Sequence, residues 1–273
     1  MKIRFLVISI LFLGFVLSCS KDSEGAETIV TIDKSANLKA TGSSANDILS
    51  NDNFNNLLIE ISYVEGFRPT PTAMVNFETF LKTYSFKEEI QMVYKELTTP
   101  NEEKLTLEEV VDLENKNRTV YNDGTTLAIY IYFADAPSED DVEEEDLVTL
   151  GAVYRNTSMV IYEDTVRKLA SKSFLISVAD IETATLNHEF GHLLGLVNLG
   201  SDAVNEHEGL TTDENGNQVG DSHCTIDGCL MRAELQFGGG MKKMLENRAS
   251  KGIAKAPDLD LECILDLQAN GGR

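Results

Sequence analysis

Basic residues are scarce in this 273-residue chain: 23 Lys and Arg face 45 Asp and Glu, a formal net charge of −22. A balance so acidic excludes nucleic acid or an anionic lipid surface as the main partner, because both demand a basic footprint. Long apolar runs are lacking too. Phe5 to Leu17 is interrupted only by Ser9 and Gly14, but it falls short of the roughly 20 residues that cross a bilayer. There is no tryptophan, and there are only four cysteines and four histidines. What remains is ordinary for a folded globule, with 42% hydrophobic and 25% charged residues. The few histidines are not scattered: all four lie between residues 188 and 223.

Lys2 and Arg4 precede the apolar run, which ends in Val16-Leu17-Ser18-Cys19 and gives way to Ser20-Lys21-Asp22. A basic start, a short apolar core and small residues read as an export signal over residues 1–18. The approach to Cys19 resembles the lipobox of bacterial lipoproteins. That resemblance implies lipidation of Cys19, a membrane anchor through the N-terminal lipid, and a place outside the cytoplasm at an outer membrane or cell surface. In that compartment Cys224, Cys229 and Cys263 are open to disulfide pairing, and their odd number leaves one over.

Residues 19–45 are rich in Ser, Asp, Lys, Gly and Ala and predict a flexible tether, leaving 46–273 as one folded domain. Leu57–Val64 predicts a strand, ended by Gly66 and Pro69. Pro71–Tyr84 places Met74, Phe77, Phe80, Leu81 and Tyr84 on one helical stripe, a core face. Ile90–Leu97 predicts a strand, and Thr106 with Glu109 forms a capping box opening a helix to about Lys116. Thr125–Phe133 predicts a central strand, and Leu150–Tyr162 a strand or hairpin. The acidic segment Ser138–Asp146 reads as a solvated loop, Asp213–Asp221 as a flexible loop, and Gly238–Gly240 as a hinge or cleft-side loop. Pro257–Asn270 predicts a last helix with Leu261, Ile264, Leu265 and Gln268 inward and Cys263 as a core residue. Strands and helices in this order predict a single α/β domain.

The chemistry concentrates in Thr185-Leu186-Asn187-His188-Glu189-Phe190-Gly191-His192-Leu193-Leu194-Gly195. Histidines four apart on a helix share a face, so both imidazoles reach one metal ion. Glu189 lies about 100° around the helix from His188, placed to take a proton from a water held there. This H-E-x-x-H pattern on a helix is the arrangement of zinc peptidases.

With Gly195 added, the stretch resembles the metzincins, whose longer pattern H-E-x-x-H-x-x-G-x-x-H ends in a third ligand. Here that last position holds Asn198, a poor zinc ligand. Farther on, His223-Cys224-Thr225-Ile226-Asp227-Gly228-Cys229-Leu230-Met231 resembles the end of the archaemetzincin signature and keeps the matrixin spacing from His to the Met-turn. The resemblance implies an insertion after Val197 that carries the third ligand to His223, with Met231 as the Met-turn residue. His207, inside the insertion, is the alternative third ligand. It further implies an α/β (α+β) fold with a metzincin-like twisted mixed sheet. An active-site helix from about Ile181 to Leu194 and a smaller C-terminal subdomain complete that fold.

The expected activity is zinc-dependent endopeptidase action on protein or peptide substrates, with one catalytic Zn²⁺ on His188, His192 and His223 and Glu189 as general base. The alternative is a catalytically inactive lipoprotein that keeps the fold for binding. A third reading is a zinc-stabilised structural protein with a closed four-ligand site. Archaemetzincins bind a second zinc with a later cysteine pair. Only Cys263 follows here, so no second zinc is expected. A Cys224–Cys229 disulfide is expected instead, worth about 2 kcal/mol on chain-entropy grounds.

Overall fold

The computed structural model describes residues 33–142, 147–253 and 256–273. The expected export signal 1–18, the lipidation residue Cys19 and the tether up to residue 32 lie outside the described residues, as do residues 143–146 of the acidic segment.

A five-stranded mixed sheet runs in the order β2-β1-β3-β5-β4. Its strands are β1 (Asn56–Val64), β2 (Glu89–Leu97), β3 (Thr126–Phe133), β4 (Gly151–Arg155) and β5 (Ser158–Ile161). β1 is parallel to β2 and β3, and β3 to β5, while β4 runs antiparallel at one edge. The sequence of β3, Thr-Leu-Ala-Ile-Tyr-Ile-Tyr-Phe, is apolar on both faces. A parallel strand covered by helices on both sides requires that pattern. Leu127, Ile129, Ile131 and Phe133 join the larger core with Phe77 and Phe190, and Tyr130 and Tyr132 join a second core with Leu105 and Val110.

Helix α1 is the short Ala45–Leu49, and α2 (Pro71–Tyr84) follows β1. Thr70 caps α2, with Pro71 in its first turn. The expected stripe is its inner face: Met74, Phe77, Phe80 and Leu81 are buried. α3 (Leu107–Asn117) opens on the expected capping box between Thr106 and Glu109. Leu150–Tyr162 is the β4–β5 hairpin, and α4 (Glu163–Ser171) leads into α5 (Val178–Leu193), which carries the H-E-x-x-H pattern. A second capping box, Ser177 with Asp180, starts α5, and everything from Ile181 to Leu193 is buried.

Four expectations need correction. Residues 35–45 are not tether. Asn37 is fully buried and donates to Asn122 Oδ1 (2.9 Å) and Thr157 Oγ1 (3.0 Å), and Asn156 donates to Ala36 O and Ser44 Oγ. Polar composition suggested a linker, yet these polar groups find partners in the body. Asp213–Asp221 is not a free loop but turns and pairs within the hairpin β6 (Glu208–Thr212) and β7 (Gln218–Cys224). The glycines at 238–240 open α6 (Gly238–Ser250) rather than forming a hinge. There a Cβ on Gly238 would lie 2.5 Å from Val148 Cγ2, so close packing asks for glycine. The last helix, α7 (Leu261–Ala269), starts after Asp260, with Cys263, Asp266 and Leu267 inward and Leu261 exposed.

Two carboxyl groups tie α4 and α5 to the β1–α2 connection. Glu182 accepts from the Thr70 backbone N–H (3.0 Å), and Glu163 accepts from Arg167 Nε (2.6 Å). Arg167 in turn donates to the carbonyls of Gly66 and Arg68. Burial first, then the Glu182 charge, pushes Glu163 up to about 9.

Candidate metal centre

α5 aims both of its histidines at one point, as a spacing of four requires. His188 and His192 have ring centroids 5.0 Å apart, and His223 arrives from β7 at 5.4 Å from His188 and 5.1 Å from His192. One nitrogen from each ring lies within 4.8 Å of the others, and all three residues are buried. His188 Nδ1 pairs with Leu230 O (2.8 Å) and His223 Nδ1 with Asp221 O (2.6 Å). Each pairing leaves Nε2 facing inward. Buried Nε2 of His188, Nε2 of His223 and Nδ1 of His192 have no hydrogen-bond partner. Orphaned polar atoms of this kind are costly in a protein interior, and a cation among the three rings would satisfy those that face it.

Burial, with His223 contributing, pushes His188 down to about 3, and His192 and His223 are lowered for the same primary reason. The rings are therefore neutral, as ligation requires. Glu189 is buried beside them, and burial pushes its carboxyl up to about 8.

The surroundings are shaped around this group. Gly195 adopts φ +76° and ends the helix, with Ser201 Oγ 2.5 Å from where a Cβ would sit. Val197 and Asn198 follow with φ of 56° and 58°, turning the chain sharply away. Asn198 spends its amide on Glu208 and on the Ala203 N–H, not on the histidines. Met231 is fully buried against α5, where a Cβ on Gly191 would overlap its sulfur. The turn carrying it is closed by Cys224 N–H donating to Met231 O (2.7 Å).

His207 does not join the other three. Its Nε2 pairs with Asp266 Oδ2 (2.9 Å) and its Nδ1 lies 3.4 Å from Cys224 Sγ. The expected Cys224–Cys229 disulfide is not formed: all three described cysteines are free and buried. Cys263, which spacing alone left as a core residue, has its sulfur 3.6 Å from that of Cys229. Asp260 Oδ2 sits 3.0 Å from Cys224 Sγ. His207, Cys224, Asp260 and Cys263 thus form a second group with metal-ligand spacing, which sequence reasoning missed. Its one available signal was Asp260 three residues before Cys263, a carboxylate in a stretch that the sequence marks only as helix.

No protein-family model matches the chain, and no curated protein matches it. Among solved structures it is similar to an archaemetzincin from Methanopyrus kandleri, with a TM-score of 0.50 and 14% identity over 79% of this chain and 96% of that one. At that identity the likeness speaks for the fold: a metzincin-like mixed sheet with a helix beneath it.

Proposed function

We propose that the chain is a zinc-dependent endopeptidase, held outside the cytoplasm by a lipid on Cys19. The observation that carries the reading is the convergence of His188, His192 and His223, with unpartnered ring nitrogens, beside a buried Glu189. A bound zinc would polarise the scissile carbonyl and acidify a water, the chemistry such an ion supplies. The protein's own part is to hold neutral imidazoles through the carbonyls of Leu230 and Asp221. Glu189 takes the proton of the attacking water and passes it to the leaving amine. β4, the antiparallel edge strand, starts at Gly151 against Glu189, so an extended peptide pairing with that edge would run past the carboxylate. Three imidazoles, among the described residues, leave a coordination position open, which a closed structural site does not.

The test is zinc content together with hydrolysis of a broad peptide library by the soluble chain from residue 20 onward. Zinc-loaded protein that cleaves library members supports the proposal. Zinc-loaded protein that cleaves nothing replaces it with the inactive, binding lipoprotein.

A further inference from the structure

Beside the Phe77–Phe190 contact that joins α2 to α5, the two helices present polar side chains to each other. Asn76, Thr79 and Thr83 come from α2 at helical spacing, and Asp180, Thr183 and Asn187 from α5. With Pro257 and Asp258 they line a cavity of about 240 Å³. Phe80 and Tyr84, edge to face at 5.0 Å, supply its aromatic wall. Asn187 lies about 100° around α5 from His188, so the cavity and the three histidines use different faces of one helix.

The polar groups of this lining are mostly acceptors. Thr79 and Thr83 each donate the hydroxyl hydrogen to the carbonyl four residues back at 2.8 Å, and Thr183 does so at 2.7 Å. Only their oxygen lone pairs are left for another group. Asn76 spends Nδ2 on Thr183 Oγ1 (3.2 Å). Asn187 is 7% exposed, and its buried Oδ1 has no hydrogen-bond partner, an acceptor that calls for a donor. Asp180 spends Oδ2 on the Ser177 N–H and hydroxyl at the start of α5. Neutral oxygens therefore outnumber carboxylates around the cavity. Such a lining beside an aromatic ring selects a ligand with many O–H donors, no net charge and an apolar ring face. A pyranose has all three.

We propose that the cavity between α2 and α5 binds a neutral saccharide. Asn187 Oδ1 and the threonine oxygens accept from its hydroxyls, and Tyr84 covers the apolar face of the sugar ring. The inference does not depend on peptidase activity or on a bound metal.

The full chain, in a detergent without sugar headgroups, is titrated with glucose, galactose, mannose, N-acetylglucosamine and their oligosaccharides, followed by saturation-transfer NMR. Saturable binding of at least one is expected. Asn187→Leu exchanges the unpartnered amide for an apolar side chain of similar size, so it should fold as the wild type does and weaken the sugar about 10-fold or more. Thr79→Val, on the exposed side of α2, should weaken it as well. If Asn187→Leu fails to fold, Thr79→Val decides. Lysine and arginine methyl esters serve as the counter-probe: their binding in place of sugars would assign the cavity to a cationic side chain and overturn the proposal. Absence of saturable sugar binding, or equal binding by the folded variants, overturns it too.

Discussion

Gly151 and Glu189 share one small volume: a Cβ on Gly151 would lie 2.6 Å from Glu189 Cγ and 3.1 Å from its Oε1. The first residue of the edge strand is therefore the wall against which the proposed base rests. A side chain there has no room unless Glu189 moves.

Gly151→Ala should accordingly leave zinc bound and lower kcat by about 100-fold, the scale of an ångström-sized misplacement of a catalytic group. Steady-state kinetics beside zinc content check it. Full activity in a folded variant would mean that Glu189 tolerates displacement.

Glu189→Ala should reduce hydrolysis by about 100- to 10,000-fold, the usual contribution of a general base, without emptying the three-histidine site. His223→Ala should weaken zinc there by orders of magnitude, whereas His207→Ala should not. Zinc affinity of the single variants side by side decides, and a reversed order would break the assignment of His223.

Glu163 supplies a pH dependence of stability. Its carboxyl is raised from the ordinary 4.5 to about 9, by burial first and Glu182 next, with Arg167 opposing. The folded state thus favours the protonated acid. Its stabilising contribution is complete below pH about 4.5 and is lost as the pH climbs towards 9. Glu163→Gln, which still accepts from Arg167, should raise the urea midpoint at pH 8 and leave it unchanged at pH 4. A constant difference at both values would mean that Glu163 stays ionised in the fold.

Cys19→Ser should move the protein from the membrane fraction to the soluble one or leave it as uncleaved precursor. Fractionation with lipid labelling measures this. Unchanged labelling would end the lipoprotein reading.

How much was legible follows from the range of each interaction. The pair His188 and His192 could be read because helical geometry is local, and His223 because Cys224, Cys229 and Met231 flank it in a recognisable order. β3 and the capping box at Thr106 were likewise written in contiguous residues. Asn37 was misread because its partners, Asn122 and Thr157, are 85 and 120 positions away. Gly238 to Gly240 looked like a hinge by propensity, and tertiary packing against Val148 overrode it. Asp260 escaped notice because its contact with Cys224 spans 36 residues and replaces no visible motif.

The Met231 turn meets the segment that leads into α7 at a backbone hydrogen bond, Leu230 N–H to Asp258 O (3.0 Å), and meets α7 itself through the sulfurs of Cys229 and Cys263. This places a step in the life of the chain. During synthesis the histidine triad is complete by residue 223, but Asp258, whose carbonyl braces its turn, emerges only later. On the proposed reading, a nascent or prematurely terminated polypeptide carries every catalytic side chain and still lacks the brace.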